Sequence, residues 1–368
     1  MLNAGNSLSS GETMDVVELL KKCIKEGASD LHLRSSNPPR YRLDGELYEI
    51  KGTRPSESVT KDFLFGMLSQ AQIERFELFR ELDFAHTYGD LCRMRINIYH
   101  QRGEFCASIR IIPDEIPSME QIYLPKICFD FVSLAKGLIL VTGQTGCGKS
   151  TTLAAMIDYI NSNRRCHILT IEDPVEFLHR DKMAMVTQRE VSNDSRSFTQ
   201  ALKSCVRQDP DVVMVGEMRD PETMATAITL AETGHLTFST LHTGEAGQTI
   251  NRIIDSFPPH QQAQIRAQLS VTLEGIISQK LLPVAGKQGR VAAREVLVCN
   301  RAVKNLVREG KVPQISSAIQ TGLEEGMITM NYSLGHLYDK GIISYETALN
   351  NAFDRKEFIA KWGTPPTK

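Results

Sequence analysis

The chain has 368 residues, enough for two domains of ordinary size, each with its own core. Its 42 Lys and Arg stand against 44 Asp and Glu, a formal net charge of -2, which argues against a surface built as a whole to grip nucleic acid. The opening "MLNAGNSLSSGE" lacks a charged and then apolar leader, no eighteen apolar residues run together, and the eight cysteines (23, 92, 106, 128, 147, 166, 205, 299) form no C-x-x-C pair, so the expectation is an unexported, cytoplasmic chain with reduced thiols and no zinc ribbon.

Residues 1–12 read as a flexible start. In "DVVELLKKCIKEGASDLHL", Val16, Leu19, Leu20, Cys23 and Ile24 recur at helical spacing, and Gly27 stands where a left-handed C-terminal cap belongs. A short strand is expected around Leu31 and Leu33, and "RYRLDGELYEI" sets Asp44-Gly45 between two extended runs as a hairpin turn. With the extended stretches "CRMRINIYH" and "EFCASIRIIP", residues 13–113 make a small α+β domain, and the prolines of "IPDEIPSMEQIYLP" mark a linker over 114–136.

From Gly137 the rhythm changes to short apolar strands, "GLILVTG", "HILTI", "DVVMVG" and "LTFSTL", separated by helical stretches. That alternation over 137–299 predicts an α/β domain with a mainly parallel sheet. The helix after "DVVMVG" has Asp220 as N-cap, Pro221 at its first position, Glu222 in its first turn and Gly234 past its end. A helical segment follows over 300–358, beginning with "NRAVKNLVREGK", and 359–368 is expected to be a loose tail.

The phosphate-binding pattern G-x-x-x-x-G-K-[ST] is met by "GQTGCGKST", with Gly143, Gly148, Lys149 and Ser150 in the defining places. Between a strand and a helix such a loop turns its backbone N–H groups onto phosphate oxygens, helped by the positive end of the helix. Lys149 would then meet the β- and γ-phosphates of ATP, and the Ser150 hydroxyl Mg2+. Hydrolysis also needs acids. Glu217 follows the strand "DVVMV", Glu172 and Asp173 lie just beyond "HILTI", and His242 ends "LTFSTLH", so these positions are expected at one sheet edge. His235 precedes that last strand.

Taken together, "GQTGCGKSTTLAAMIDYIN", "TIEDPVEF", "QREV", "DPDVVMVGEMRD", "AETGHLTFSTLHT" and "AVKNLVREGKVPQISSAIQTG" resemble the secretion ATPase superfamily, and within it the PilT-type retraction ATPases of type IV pili. The resemblance implies a PAS-like N-terminal domain, a RecA-like P-loop ATPase domain with C-terminal helices, and a homohexameric ring with ATP between the two domains. It implies that Gly143, Thr145, Gly146, Cys147, Gly148, Lys149, Ser150, Thr151 and His235 bind nucleotide. Ser150 and Glu217 would hold Mg2+, Glu172 would act as general base, and His242 would touch the γ-phosphate. Arginine fingers would come from the N-terminal domain, where Arg93, Arg95, Arg102 and Arg110 are available and the strand positions of Arg95 and Arg110 favour those two.

The implied partners are further copies of the chain, an inner-membrane platform protein of the pilus machine and a paralogous ATPase, with no nucleic acid. The implied place is the cytoplasmic side of the inner membrane. The chain lacks the long N-terminal extension and tetracysteine element usual in extension ATPases, and Arg301, Lys304, Arg308 and Glu309 are expected as exposed residues for a partner. An accessory PilU-like paralogue, a type IVB or type II secretion ATPase, a RecA-like nucleic-acid translocase and a scaffold that binds ATP without hydrolysing it stand as alternatives.

Overall fold

The computed structural model describes residues 15–363 apart from 36, 44, 53–54, 90, 113–114 and 192. The start expected to be flexible, 1–12, lies outside the described residues, as does the end of the expected tail, 364–368. The chain divides into two compact units, Met1–Asp114 and Glu115–Lys368.

In the first unit, α1 (Val16–Glu26) starts where the Asp15 side chain accepts from the Val17 N–H and stops at Gly27, whose φ of 73° suits glycine. It is followed by β1 (Asp30–Arg34), β2 (Asn37–Leu43), β3 (Glu46–Glu49), α2 (Glu57–Phe65), α3 (Gln70–Phe79), β4 (Glu81–Tyr88), β5 (Cys92–Gln101) and β6 (Glu104–Ile112). The six strands form one sheet in the order β3-β2-β1-β6-β5-β4, with every neighbouring pair antiparallel. The expected hairpin is present, Leu43 pairing with Glu46. Side chains alternate across a strand, so Met94, Ile96 and Ile98 enter the core with Leu19, Leu64 and Phe76 of the helices, and Arg93, Arg95 and Asn97 belong to the other face. β4 was not expected from the sequence; its pattern pairs buried Leu82 and Phe84 with charged neighbours.

The second unit contains α4 (Ile127–Ser133), β7 (Gly137–Thr142), α5 (Lys149–Asn163), β8 (His167–Glu172), β9 (Met185–Glu190), α6 (Phe198–Cys205), β10 (Val212–Val215), α7 (Pro221–Glu232), β11 (Leu236–Leu241), α8 (Ala246–Asp255), α9 (Pro259–Thr272), β12 (Leu273–Pro283), β13 (Arg290–Val298), α10 (Arg301–Arg308), α11 (Ile315–Thr321), α12 (Met330–Asp339), α13 (Tyr345–Asn351) and α14 (Arg355–Trp362). Seven strands make one sheet, in the order β13-β12-β7-β11-β10-β8-β9, parallel except for β13. Both faces are buried: Leu138, Leu140, Val213 and Val215 pack against α6 to α11, while Ile139, Val141, Val212 and Met214 pack against α4 and α5. That double burial explains why these strands read as unbroken apolar runs.

Three expectations need correction here. The segment 114–136 is not bare linker, because α4 forms within it and Met119, Leu124, Cys128 and Phe131 are buried in the second unit. The tail begins later than 359, since α14 runs to Trp362 and buries Phe358. Lys304 is not free on α10, because its Nζ lies 2.7 Å from Glu274 Oε1; Arg301, Arg308 and Glu309 are exposed.

Candidate nucleotide site

Parallel strands deliver their following loops to one edge of a sheet, and here four adjacent strands do so in turn. β7 leads into the loop 143–148, β11 into His242, β10 into Glu217, and β8 ends on Glu172. The expected edge is therefore formed, and along it His242 touches both Glu217 and Lys149, whereas Glu172 is held by Thr170 and Gln188.

The loop is shaped by glycine. Gly148 precedes α5 at φ 87°, and Gly143 has φ 145°, where a Cβ would meet Cys147 Sγ and the Gln279 carbonyl oxygen, each at 2.5 Å. Thr145 and Gly146 are exposed, Ser150 and Thr151 half-buried, and Cys147 buried. Burial pushes the Cys147 thiol above its ordinary pKa, which disfavours the reactive thiolate. The sulfur turns inward, toward Gly143 at the other end of the loop.

Lys149 Nζ donates to the carbonyls of Gly143 at 2.8 Å and Gln144 at 3.1 Å, and lies 3.5 Å from His242 Nδ1. On its other side His242 Nε2 is 2.8 Å from Glu217 Oε1, and Glu217 Oε2 accepts from Arg219 Nε at 2.9 Å. A carboxylate accepts and an ammonium donates, so a neutral imidazole with its hydrogen on Nε2 satisfies both neighbours. The result is a continuous polar line, Lys149, His242, Glu217, Arg219. Partial burial holds the Lys149 ammonium below the ordinary lysine pKa.

Glu172 is only 9% exposed. Its Oε1 accepts from Thr170 Oγ1 at 2.7 Å and from Gln188 Nε2 at 3.2 Å, while Gln188 also donates to the Phe177 carbonyl at 2.8 Å. Burial raises the Glu172 pKa and these hydrogen bonds partly offset it, the balance that makes a carboxylate a stronger base. Glu190 at the end of β9 accepts from the Val175 N–H at 3.0 Å and so fixes the chain just beyond Glu172.

His235 falls elsewhere. It precedes β11 while His242 follows it, so about 20 Å of strand separates them. Its Nδ1 lies 3.0 Å from the Leu230 carbonyl and 3.3 Å from Thr233 Oγ1, which ties it to the end of α7. In this unit His235 is thus apart from the phosphate loop. Arg95 and Arg110 belong to the first unit, where they pair across β5 and β6, and Arg110 Nε holds Asp30 Oδ1 at 2.9 Å.

Sequence reasoning missed Gln279, Gln188, Thr170 and Arg219. Gln188 stood inside the quoted motif "QREV". Gln279 carried no clear signal, because it stands among Glu274, Ser278 and Lys280 in "LEGIISQKLLP", a run that was not read as a strand.

A phosphate loop after the first strand of a doubly covered parallel sheet, with acids at the ends of neighbouring strands, defines a nucleotide-binding P-loop ATPase of RecA-like architecture. The family model of the type II/IV secretion system proteins matches residues 125–327. The type IV pilus retraction ATPase PilT of Pseudomonas aeruginosa is 45% identical over 92% of this chain and 98% of its own length. The type IV pilus ATPase PilU of the same organism is 38% identical over 92% of this chain and 89% of its own length. The solved structure of the pilus retraction motor PilT with bound ADP superposes with a TM-score of 0.85 at 44% identity, over 94% of this chain and 98% of that one. This chain belongs to the type II/IV secretion system protein family, in its PilT branch.

Proposed function

We propose that this chain is an ATP-hydrolysing motor, assembled as a homohexameric ring, that drives retraction of type IV pili and with it twitching motility. The observation that carries this is the match over nearly the full length, at 45% identity, to a retraction ATPase, joined to a polar line at the strand ends suited to ATP. The proposed place is the cytoplasmic side of the inner membrane, held by a platform protein of the pilus machine, a reading supported by the likeness to PilT; no helix among the described residues is long and apolar enough to cross a membrane.

In this proposal Lys149 leaves the Gly143 and Gln144 carbonyls for the β- and γ-phosphates, and the N–H groups at the start of α5 take further phosphate oxygens. The Ser150 hydroxyl and the Glu217 carboxylate are oxygen donors suited to Mg2+, which supplies charge neutralisation at the transferred phosphate. Glu172, buried and held through one oxygen, takes the proton of the attacking water. His242, between Lys149 and Glu217, reads the state of the γ-phosphate. Arg95 and Arg110 stabilise the charge that develops on the phosphoryl group, a contribution worth roughly 10³ to 10⁵ in rate for such fingers.

An accessory ATPase working beside a main motor is the second reading, favoured by the identity to PilU. Deleting the gene in its own host and counting surface pili beside twitching movement tests both. More pili without movement is the expected result for the motor. An unchanged pilus count favours the accessory role, and bare cells would overturn retraction altogether.

A further inference from the structure

Ser278 on β12 pairs with Thr142, the last residue of β7, so the next residue along β12 comes to lie beside the first residue of the phosphate loop. That residue is Gln279, 2% exposed and polar at both ends of its amide. Its Nε2 donates to the Cys147 carbonyl at 2.8 Å, and its Oε1 accepts from Thr152 Oγ1 on α5 at 2.9 Å. Because a carbonyl can only accept, the amide orientation is fixed by the Cys147 contact. The loop rests on the same residue: a Cβ on Gly143 would strike the Gln279 carbonyl oxygen at 2.5 Å, and one on Gly148 would sit 3.4 Å from Nε2. Behind it, Thr142 Oγ1 and Ser278 Oγ are 2.8 Å apart.

We infer that Gln279 is a positioning residue of the nucleotide site, a buried amide that clamps the phosphate loop to the first turn of α5. The inference rests on loop 143–148 being the phosphate cradle. Turning the Cys147 carbonyl down toward Gln279 leaves the following N–H groups, those of Gly148 and the first residues of α5, directed at the loop's open side. An anion there meets donors already oriented, with little ordering left to be done on binding. Without the clamp, the carbonyl is free to turn, and its negative end then competes with the phosphate.

The test uses the full chain and the affinity for a fluorescent ADP analogue, with ATP turnover and melting temperature measured alongside. Gln279→Met keeps the volume and removes both hydrogen bonds; it should raise the ADP dissociation constant and the ATP KM by ~10-fold while kcat at saturation stays near wild type. Gln279→Glu keeps the acceptor for Thr152 but sets a second oxygen against the Cys147 carbonyl, and should bind at least as poorly. Thr152→Val should weaken binding and Thr152→Ser should restore it, which decides the matter should the Gln279 variants fail to fold. A merely structural Gln279 would give a lower melting temperature or fewer active molecules with unchanged dissociation constant and KM; that result would overturn the inference. A wild-type chain that bound no ADP would overturn the cradle itself, and this inference with it.

Discussion

Lys149 and Glu172 differ in what they touch, and the difference separates binding from chemistry. Lys149 lies at the mouth of the loop, within reach of a phosphate, so Lys149→Ala is expected to lose nucleotide affinity and turnover together. Glu172→Gln keeps the shape and should accept from Thr170 as before, so ATP binding is expected to stay while turnover falls by at least 10², within the range for a removed general base. Normal turnover in Glu172→Gln, measured by phosphate release, would remove it as the base. Because burial raises the Glu172 pKa, the acid limb of the wild-type rate profile should lie above the ordinary carboxylate range.

Glu295 gives a second pH effect of the opposite use. It is buried on β13, accepts from the Ala246 N–H at 2.8 Å, and burial pushes it up to about 7. A carboxyl whose pKa is higher folded than unfolded stabilises fully below the unfolded value, and that stabilisation is lost as pH rises through the folded one. The wild type should therefore lose stability relative to Glu295→Gln between about pH 5 and pH 8, by at most about 3 kcal/mol. Melting curves of the two that keep a constant separation across that window would show the idea to be wrong.

At the level of elements, legibility followed burial and spacing. The four central strands and the capped helices α1, α7 and α10 could be read because unbroken apolar runs and cap residues are local signals. β12 could not, since "SVTLEGIISQKLLP" passes from α9 into a strand without a breaker, and a short apolar run fits either element. With β12 unseen, Gln279 and its bridge to the loop were unseen too. Glu172, Glu217 and His242 were legible as a set because each stands at or just past the end of a strand that could be read, and Lys149 because it opens the helix that follows the glycine-rich loop. His235 looked like their companion only in sequence, because a strand carries its two ends to opposite edges of the sheet.

The C-terminal helices offer a test at the same scale. Gly335 on α12 sits against the ring of Trp362 on α14, so close that a Cβ would fall 2.0 Å from it. Trp362 is the sole tryptophan, stacks on Phe358 at 4.9 Å and donates to Asp339 Oδ2 at 3.1 Å. In an open helix Gly→Ala gains about 1 kcal/mol, whereas overpacking costs about 1–3 kcal/mol. A rigid ring at that distance decides for overpacking, so Gly335→Ala should lower the urea midpoint and shift the tryptophan emission. Unchanged emission and midpoint would mean that α14 does not pack there.

For the whole molecule the decisive question is where the fingers come from. Arg95 and Arg110 are cross-strand neighbours in the first unit, and Arg110 is already oriented by Asp30. In the proposed ring each ATP is completed by a residue from an adjoining copy, a heterologous contact that closes by rotation. Two kinds of inactive subunit are then complementary: Lys149→Ala cannot bind nucleotide but carries its arginines, and Arg95→Ala with Arg110→Ala binds nucleotide but lacks fingers. Mixed and allowed to reassemble, they should recover part of the wild-type turnover, because some junctions join an intact loop to intact arginines. Each variant alone should stay inactive at every protein concentration. If the fingers act within their own chain, no mixture regains activity, and the tie between hydrolysis and movement around the ring would have to run through some other contact.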